Sequence, residues 1–166
     1  MNQNIWGPSM WFSLHTITFS YPLMPTENDK SNYKIFFENF KNVIPCAVCK
    51  KNYIRHLKEH PIDNYLSCRK NIIYWLIDLH NLVNVETGKK ILEYNVVIKK
   101  YEKIYNKKII AEDNDKNNNS ICNKPSILLN NKYSNLIIDE NKVYLIFIIF
   151  LIIMIVNIFY TKYYSK

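Results

Sequence analysis

Asn71-Ile72-Ile73-Tyr74-Trp75-Leu76-Ile77-Asp78-Leu79-His80-Asn81-Leu82-Val83-Asn84 is the stretch whose reading decides the fold. Ile72, Ile73, Leu76, Leu79 and Val83 recur at steps of three and four, the period of a helix with one buried face, and Trp75 widens that face. The helix is expected from about Arg69 to Glu86. His80, Asn84 and Gly88 fall at i, i+4 and i+8, which sets a polar strip beside the apolar one, with Asn81 next to it. Asn is a poor helix former and a buried amide needs partners, so the strip reads as a surface placed against a polar ligand. Gly88 stands where a C-cap is needed, with Lys89 and Lys90 after it.

Upstream the same period continues. Pro8 suits the first turn of a helix that carries Trp11 and His15 on one face. Taken alone, that pair reads as a core tryptophan and a capped histidine. Tyr21-Pro22 ends the segment, and Met24-Pro25-Thr26 makes a turn. A second helix is expected from Asp29 or Ser31 to Val43, with Tyr33, Phe36, Phe37 and Phe40 as a core stripe. Asn64 to Ser67 reads as a turn, and a short fifth helix spans Asn95 to Tyr105 with Lys99, Lys100 and Tyr101. The whole chain has two glycines, too few for Gly-rich phosphate loops or for sheets built on glycine turns. An all-α domain follows. Its net charge of +8 suits an anionic surface or cofactor, and no RNP-type motif or block of like charge selects nucleic acid.

Between the second helix and a third lies Pro45-Cys46-Ala47-Val48-Cys49. The third helix is expected to begin at Cys46 and reach Leu57 or Lys58. Its unpaired N–H groups and dipole would favour a thiolate at Cys46, with Lys50, Lys51 and Arg55 adding positive potential. A C-x-x-C pair is either a reversible disulfide or half of a metal site. Cys46, Cys49, His56 and His60 make C-x2-C-x6-H-x3-H, a candidate zinc set for a membrane-tethered adaptor. A thioredoxin-like reductase is the third reading, but it needs strands alternating with helices. With four cysteines and no signal-peptide pattern at Met1 to Asn4, the chain is expected to begin in a reducing compartment.

The composition changes after residue 110. Residues 111–142 are polar and Asn-rich, the mark of a flexible linker, and Cys122 in it reads as a free thiol or a tether to a partner. Cys68 has no assigned role. Residues 143–160 are almost wholly apolar, and as a helix they would span roughly 27 Å, close to a bilayer's hydrocarbon core. Tyrosines and Lys142 and Lys162 flank this stretch, so it is expected to be a single-pass anchor. The tail 161–166 is short, which implies tail-first insertion with the domain 1–110 on the cytosolic side.

Together the motifs resemble the FAD-linked sulfhydryl oxidases of the Erv/ALR family, over about residues 5–105. The resemblance is carried by Trp11-x-x-x-His15 after Gly7, by Tyr21-Pro22, by Pro45-Cys46-x-x-Cys49, and by Trp75 through His80-Asn81-x-Val83-Asn84 with Gly88-Lys89. It implies a four-helix bundle plus a short fifth helix around FAD, forming a homodimer. It also implies that Cys49 is the flavin-proximal thiol and Cys46 the outer one. Trp11, His15, Tyr21, His80, Asn81, Asn84 and Lys89 would line the FAD site, with Lys100 and Tyr101 near it. The implied activity is thiol oxidation, with a small thiol protein as donor and O2 as acceptor, giving H2O2. Many members carry a C-x16-C disulfide where this chain has Ile77 and Tyr94, so packing and FAD are expected to hold the fifth helix. Short forms from large DNA viruses share that departure.

Overall fold

In the computed structural model, residues 2–109, 122, 145, 147–155, 157 and 160 are described. Five helices form the domain: α1 (Gln3–Phe19), α2 (Glu27–Phe40), α3 (Ala47–Glu59), α4 (Arg69–Glu86) and α5 (Tyr94–Tyr105), with a 3-10 turn at Ile62–Tyr65 before α4. The all-α expectation holds, and α4 begins and ends where its sequence period does.

α4 is the centre. One side meets α1, α2, α3 and the 3-10 turn in a core of Leu14, Phe37, Tyr53, Ile62, Trp75 and Leu76 among others. Its other side packs Ile73 and Ile77 against Phe19, Val97, Ile98 and Tyr101. Burial is therefore wider than the single stripe read from sequence. Trp75 is fully buried, meets Phe37 edge-on at 4.9 Å, and donates its indole N–H to the His60 carbonyl at 3.0 Å. Such an aromatic pair is worth about 0.5–1.5 kcal/mol beyond the area it buries. The core tyrosines spend their hydroxyls on backbone carbonyls: Tyr53 on Phe37 and Tyr21 on Leu66, both at 2.8 Å.

Helix ends explain where boundaries moved. α1 starts five residues before Pro8, because the Asn2 side chain accepts from the Asn4 N–H and caps it. Pro8 sits inside the helix, where its missing N–H deprives only the Asn4 carbonyl, in the exposed first turn. α2 starts at Glu27 through a capping box: Thr26 accepts from the Asp29 N–H while the Asp29 carboxylate accepts from the Thr26 N–H. α4 ends as expected at Gly88, whose φ of +67° fits a residue without a Cβ. The Lys89 N–H reaches the Asn84 carbonyl at 2.8 Å and the Gly88 N–H reaches Val85 at 3.2 Å, a paired closure of the helix end.

Cys68 and Cys122 are disulfide-bonded, with Cα atoms 5.9 Å apart. This corrects the reading of Cys122 as a free thiol or a tether to another chain. The chain divides into two compact units, Met1–Pro125 and Ser126–Lys166. Arg69, the next residue, donates to the Tyr21 carbonyl and, at 3.3 Å, to that of Ile109. In the second unit the described residues 145, 147–155, 157 and 160 are helical and exposed. Among the described residues no helix is long and apolar enough to cross a membrane. The remaining residues of the expected anchor, and the expected linker apart from Cys122, lie outside the described residues.

His60 and Asp78 face each other in the core, His60 Nε2 to Asp78 Oδ2 at 3.9 Å, and Tyr94 donates its hydroxyl to the other Asp78 oxygen. Burial lifts the Asp78 carboxyl from 3.8 to about 6 against the pull of Tyr94, and burial lowers His60 from 6.5 to about 4. The folded state thus holds the Asp78 proton more tightly than the unfolded chain, a contribution present at acid pH and lost as pH rises through about 6. His60 acts in the opposite sense: its contribution is present above 6.5 and lost as pH falls through about 4. Asp78→Asn removes only the first of these. Relative to the parent chain, the variant should gain about 2 kcal/mol on going from pH 4 to pH 7.5, read from urea unfolding at the two pH values.

Candidate functional site

The N-terminus of α3 carries the first half of the site. Cys46 is its N-cap and is disulfide-bonded to Cys49, with Cα atoms 5.2 Å apart. The Cys46 sulfur accepts from the Cys49 backbone N–H at 3.2 Å and from Gln3 Nε2 at 3.3 Å. Val48, between the two cysteines, is exposed, as are Val43 and Ile5. A disulfide at a helix N-terminus can take an electron pair and hold the resulting thiolate against unpaired N–H groups.

The zinc reading does not survive this geometry. Both cysteine sulfurs are spent on one covalent bond. His56 is fully buried against Glu86, with Nε2 and Oε2 at 3.2 Å, where Asn52 and Arg55 also bind. His60 faces Tyr65 and Asp78. Among the described residues no group of three or more metal-ligating side chains forms.

α1, α4 and α5 build the second half. Trp11 and His80 stack face to face, with centroids 3.9 Å apart and planes 5° from parallel. His15 Nε2 and His80 Nδ1 share a hydrogen bond of 3.1 Å. Tyr101 closes the group at 5.5 Å from His15 and 4.7 Å from Phe19. Burial, then the fields of His80 and Lys100, hold His15 down to about 3; burial, then Lys89 and Lys100, hold His80 to about 4. Both rings are neutral at physiological pH, so one donates to the other. His15 Nδ1 is buried and has no hydrogen-bond partner among the described residues.

This nest combines flat aromatic and imidazole faces, an unpartnered buried nitrogen and two nearby cations. It suits a planar ligand bearing negative charge. It therefore gathers six residues expected at one site: Trp11, His15, His80, Lys89, Lys100 and Tyr101.

A family model for the Erv1/Alr family matches residues 8–105, more than half the chain. The chain belongs to the Erv1/Alr family. Within it, the chain is 43% identical over 104 residues to a relative from Acanthamoeba polyphaga mimivirus described as a probable FAD-linked sulfhydryl oxidase, covering 62% of this chain and 73% of the relative. It is 29% identical over 96 residues to the mitochondrial FAD-linked sulfhydryl oxidase Erv1 of Saccharomyces cerevisiae, covering 58% of this chain and half of that one. Among solved structures, the FAD binding domain of yeast Erv1 superposes with a TM-score of 0.58 at 28% identity, covering 62% of this chain and 96% of that one. Each of these matches covers about three fifths of this chain.

Three further residues assigned to the same site from sequence make their contacts within this Erv1/Alr chain. Tyr21 is fully buried in the main core, edge-on to Tyr33, with its hydroxyl on Leu66. No face of it is left for a ligand. Asn81 spends both amide atoms on one backbone residue: Nδ2 donates to the Leu92 carbonyl at 3.0 Å and Oδ1 accepts the Leu92 N–H at 2.7 Å. Asn84 donates to the Lys90 carbonyl at 3.2 Å. The amides thus tie residues 90–92 to α4, and the polar strip has a structural use that its sequence hid. Sequence reading also missed Gln3, which no local pattern marks, and Phe12, whose ring stacks on Tyr101 at 5.7 Å. Phe12 and Phe19 are seven apart on one face of α1, a spacing that was visible.

Replacing Asn81 with Ala removes two half-buried hydrogen bonds and leaves the Leu92 groups without their side-chain partner. The expected loss is about 2–3 kcal/mol of stability, with faster hydrogen exchange at the Leu92 amide.

Proposed function

We propose that this chain is an FAD-dependent thiol oxidase that forms disulfides in protein substrates through Cys46 and Cys49. The observation that carries this reading is the Cys46–Cys49 disulfide at the N-cap of α3. Family membership and the names of its relatives support it.

Cys46 is the sulfur that meets substrate. A substrate thiolate attacks Cys46 Sγ, a mixed disulfide forms, the Cys46–Cys49 bond breaks and the electron pair leaves on Cys49 Sγ. A second substrate thiolate attacks the substrate sulfur, completes the product disulfide and leaves the pair on Cys46 Sγ. The α3 N-terminus stabilises that charge, which makes Cys46 the better leaving group. The exposed Val48, Val43 and Ile5 offer apolar contact to the substrate chain around its cysteine.

The nest fits FAD on this chain's own terms: stacked faces at Trp11 and His80, the partnerless His15 Nδ1, and the positive field of Lys89 and Lys100. Those residues, with Tyr101, would hold it. Bound FAD supplies the two-electron acceptor that a dithiol lacks, passing the pair to O2 with release of H2O2. The neutral imidazoles keep the nest free of charge repulsion with Lys89 and Lys100, and burial keeps water from it.

Further parts of the proposal rest on sequence and exposure. Apolar side chains left in water on α2, Ile35 and Phe36, support a homodimer that chromatography can size. The apolar run 143–160 supports a single-pass anchor, and we propose that the oxidase domain faces the cytosol and takes electrons from a small thiol protein. Membrane fractionation of the full chain checks the anchor: carbonate-resistant pelleting is expected, and a soluble chain overturns it.

The purified protein should be yellow, bleached by dithiothreitol under nitrogen and recoloured by air. Cys49→Ser should lose all dithiothreitol-driven oxygen uptake while keeping its flavin, and Trp11→Ala should lose most of its flavin on gel filtration. A colourless parent protein, or full turnover in Cys49→Ser, defeats the assignment.

A further inference from the structure

We infer that Gln3 is a further catalytic residue, donating a hydrogen bond to the reacting sulfur of Cys46 and stabilising it as a thiolate. The inference rests on the reading of Cys46 as the substrate-facing sulfur.

Two donors reach Cys46 Sγ, and they come from different parts of the chain. The Cys49 N–H, at 3.2 Å, is the ordinary consequence of Cys46 capping α3. Gln3 Nε2, at 3.3 Å, comes from the first residue of α1. A disulfide sulfur carries no hydrogen and can only accept, so the amide must present its N–H side to it. Geometry fixes the amide's orientation without appeal to a network.

Sulfur in a disulfide is a weak acceptor, and a thiolate is a strong one. The contact therefore strengthens when charge arrives on Cys46 and is nearly idle before. That difference is what lowers a barrier rather than merely adding stability. Charge arrives on Cys46 once per cycle, when the second substrate thiolate attacks the mixed disulfide. The bond between the two substrate sulfurs forms, the bond from substrate sulfur to Cys46 breaks, and the pair departs on Cys46 Sγ. A lower thiol pKa makes that departure faster. Gln3 is neutral, so it supplies this stabilisation without drawing the carboxylates that a lysine would.

Gln3 is exposed and its side chain makes no other hydrogen bond among the described contacts, so its removal leaves the fold in place. The experiment uses the full-length chain with FAD bound, reduced and held under nitrogen, as the parent, Gln3→Ala and Gln3→Glu. Each is trapped with iodoacetamide across pH 5 to 9, and the fraction alkylated at Cys46 is read by peptide mass spectrometry. Gln3→Ala should raise the midpoint by about half to one pH unit. Gln3→Glu should raise it further, since a carboxylate repels the thiolate, and both variants should keep the parent's melting temperature. An unmoved midpoint in both variants overturns the inference, as does a shift seen only with a fall in melting temperature. A midpoint that moves in a protein unable to oxidise dithiols upholds Gln3's contact and overturns the oxidase reading instead.

Discussion

The constraint on which the structure depends is the burial of α4 on nearly every side. A helix so enclosed must find a partner for each polar side chain it carries, because an unpaired buried group costs about 1–3 kcal/mol. α4 carries Asp78, His80, Asn81 and Asn84 in seven residues. Their partners are Tyr94, His15, the Leu92 backbone and the Lys90 carbonyl. Three of these four lie in α5 or in the segment leading to it. The polar side chains of one helix thus fix where the next part of the chain runs.

This accounts for a domain that does without a covalent link between α4 and α5. Where many family members place paired cysteines, this chain has Ile77 and Tyr94. Ile77 packs against Val97 and Ile98, and the Tyr94 hydroxyl binds Asp78, the residue after Ile77. Packing and FAD were the expected substitutes, and the hydrogen bond from Tyr94 is a part that was not foreseen. The second disulfide of the chain, Cys68–Cys122, ties Cys122 to the start of α4, beside the Arg69 bond to Ile109.

What could be read in advance follows a physical division. The extent of α4, its Gly88 ending and the pairing of Cys46 with Cys49 are local, set by period, cap chemistry and spacing over a few residues. So is the grouping of Trp11 with His15. The contact of Asn81 with Leu92 was not legible because its partner lies across a loop, and an amide meeting a backbone looks in sequence like an amide awaiting a ligand. Tyr21 is a similar case: a tyrosine is apolar along its ring and polar at one atom, and only the fold shows that the atom is spent on Leu66. Pro8 misled by the opposite route, since its favoured place is a first turn but the Asn2 cap moved that turn upstream.

α1 then links the two halves of the site mechanically. Gln3, in its first turn, touches the sulfur of Cys46, while Trp11 and His15 farther along touch His80. At 1.5 Å per residue these points stand about 12 and 18 Å apart along one rigid axis. Because α1 is a continuous helix through Pro8, a shift of α1 against α4 at the nest would be carried to the sulfur at its far end. The redox pair itself sits on a separate helix, and α3 is held to α4 by Glu86, which gathers Asn52, Arg55 and His56. Two independent attachments, α1 through His15 and α3 through Glu86, therefore set the position of Cys46 relative to α4. A loosening of either displaces the sulfur from its Gln3 donor, and the reactivity of the disulfide is in this way a property of the packing around α4.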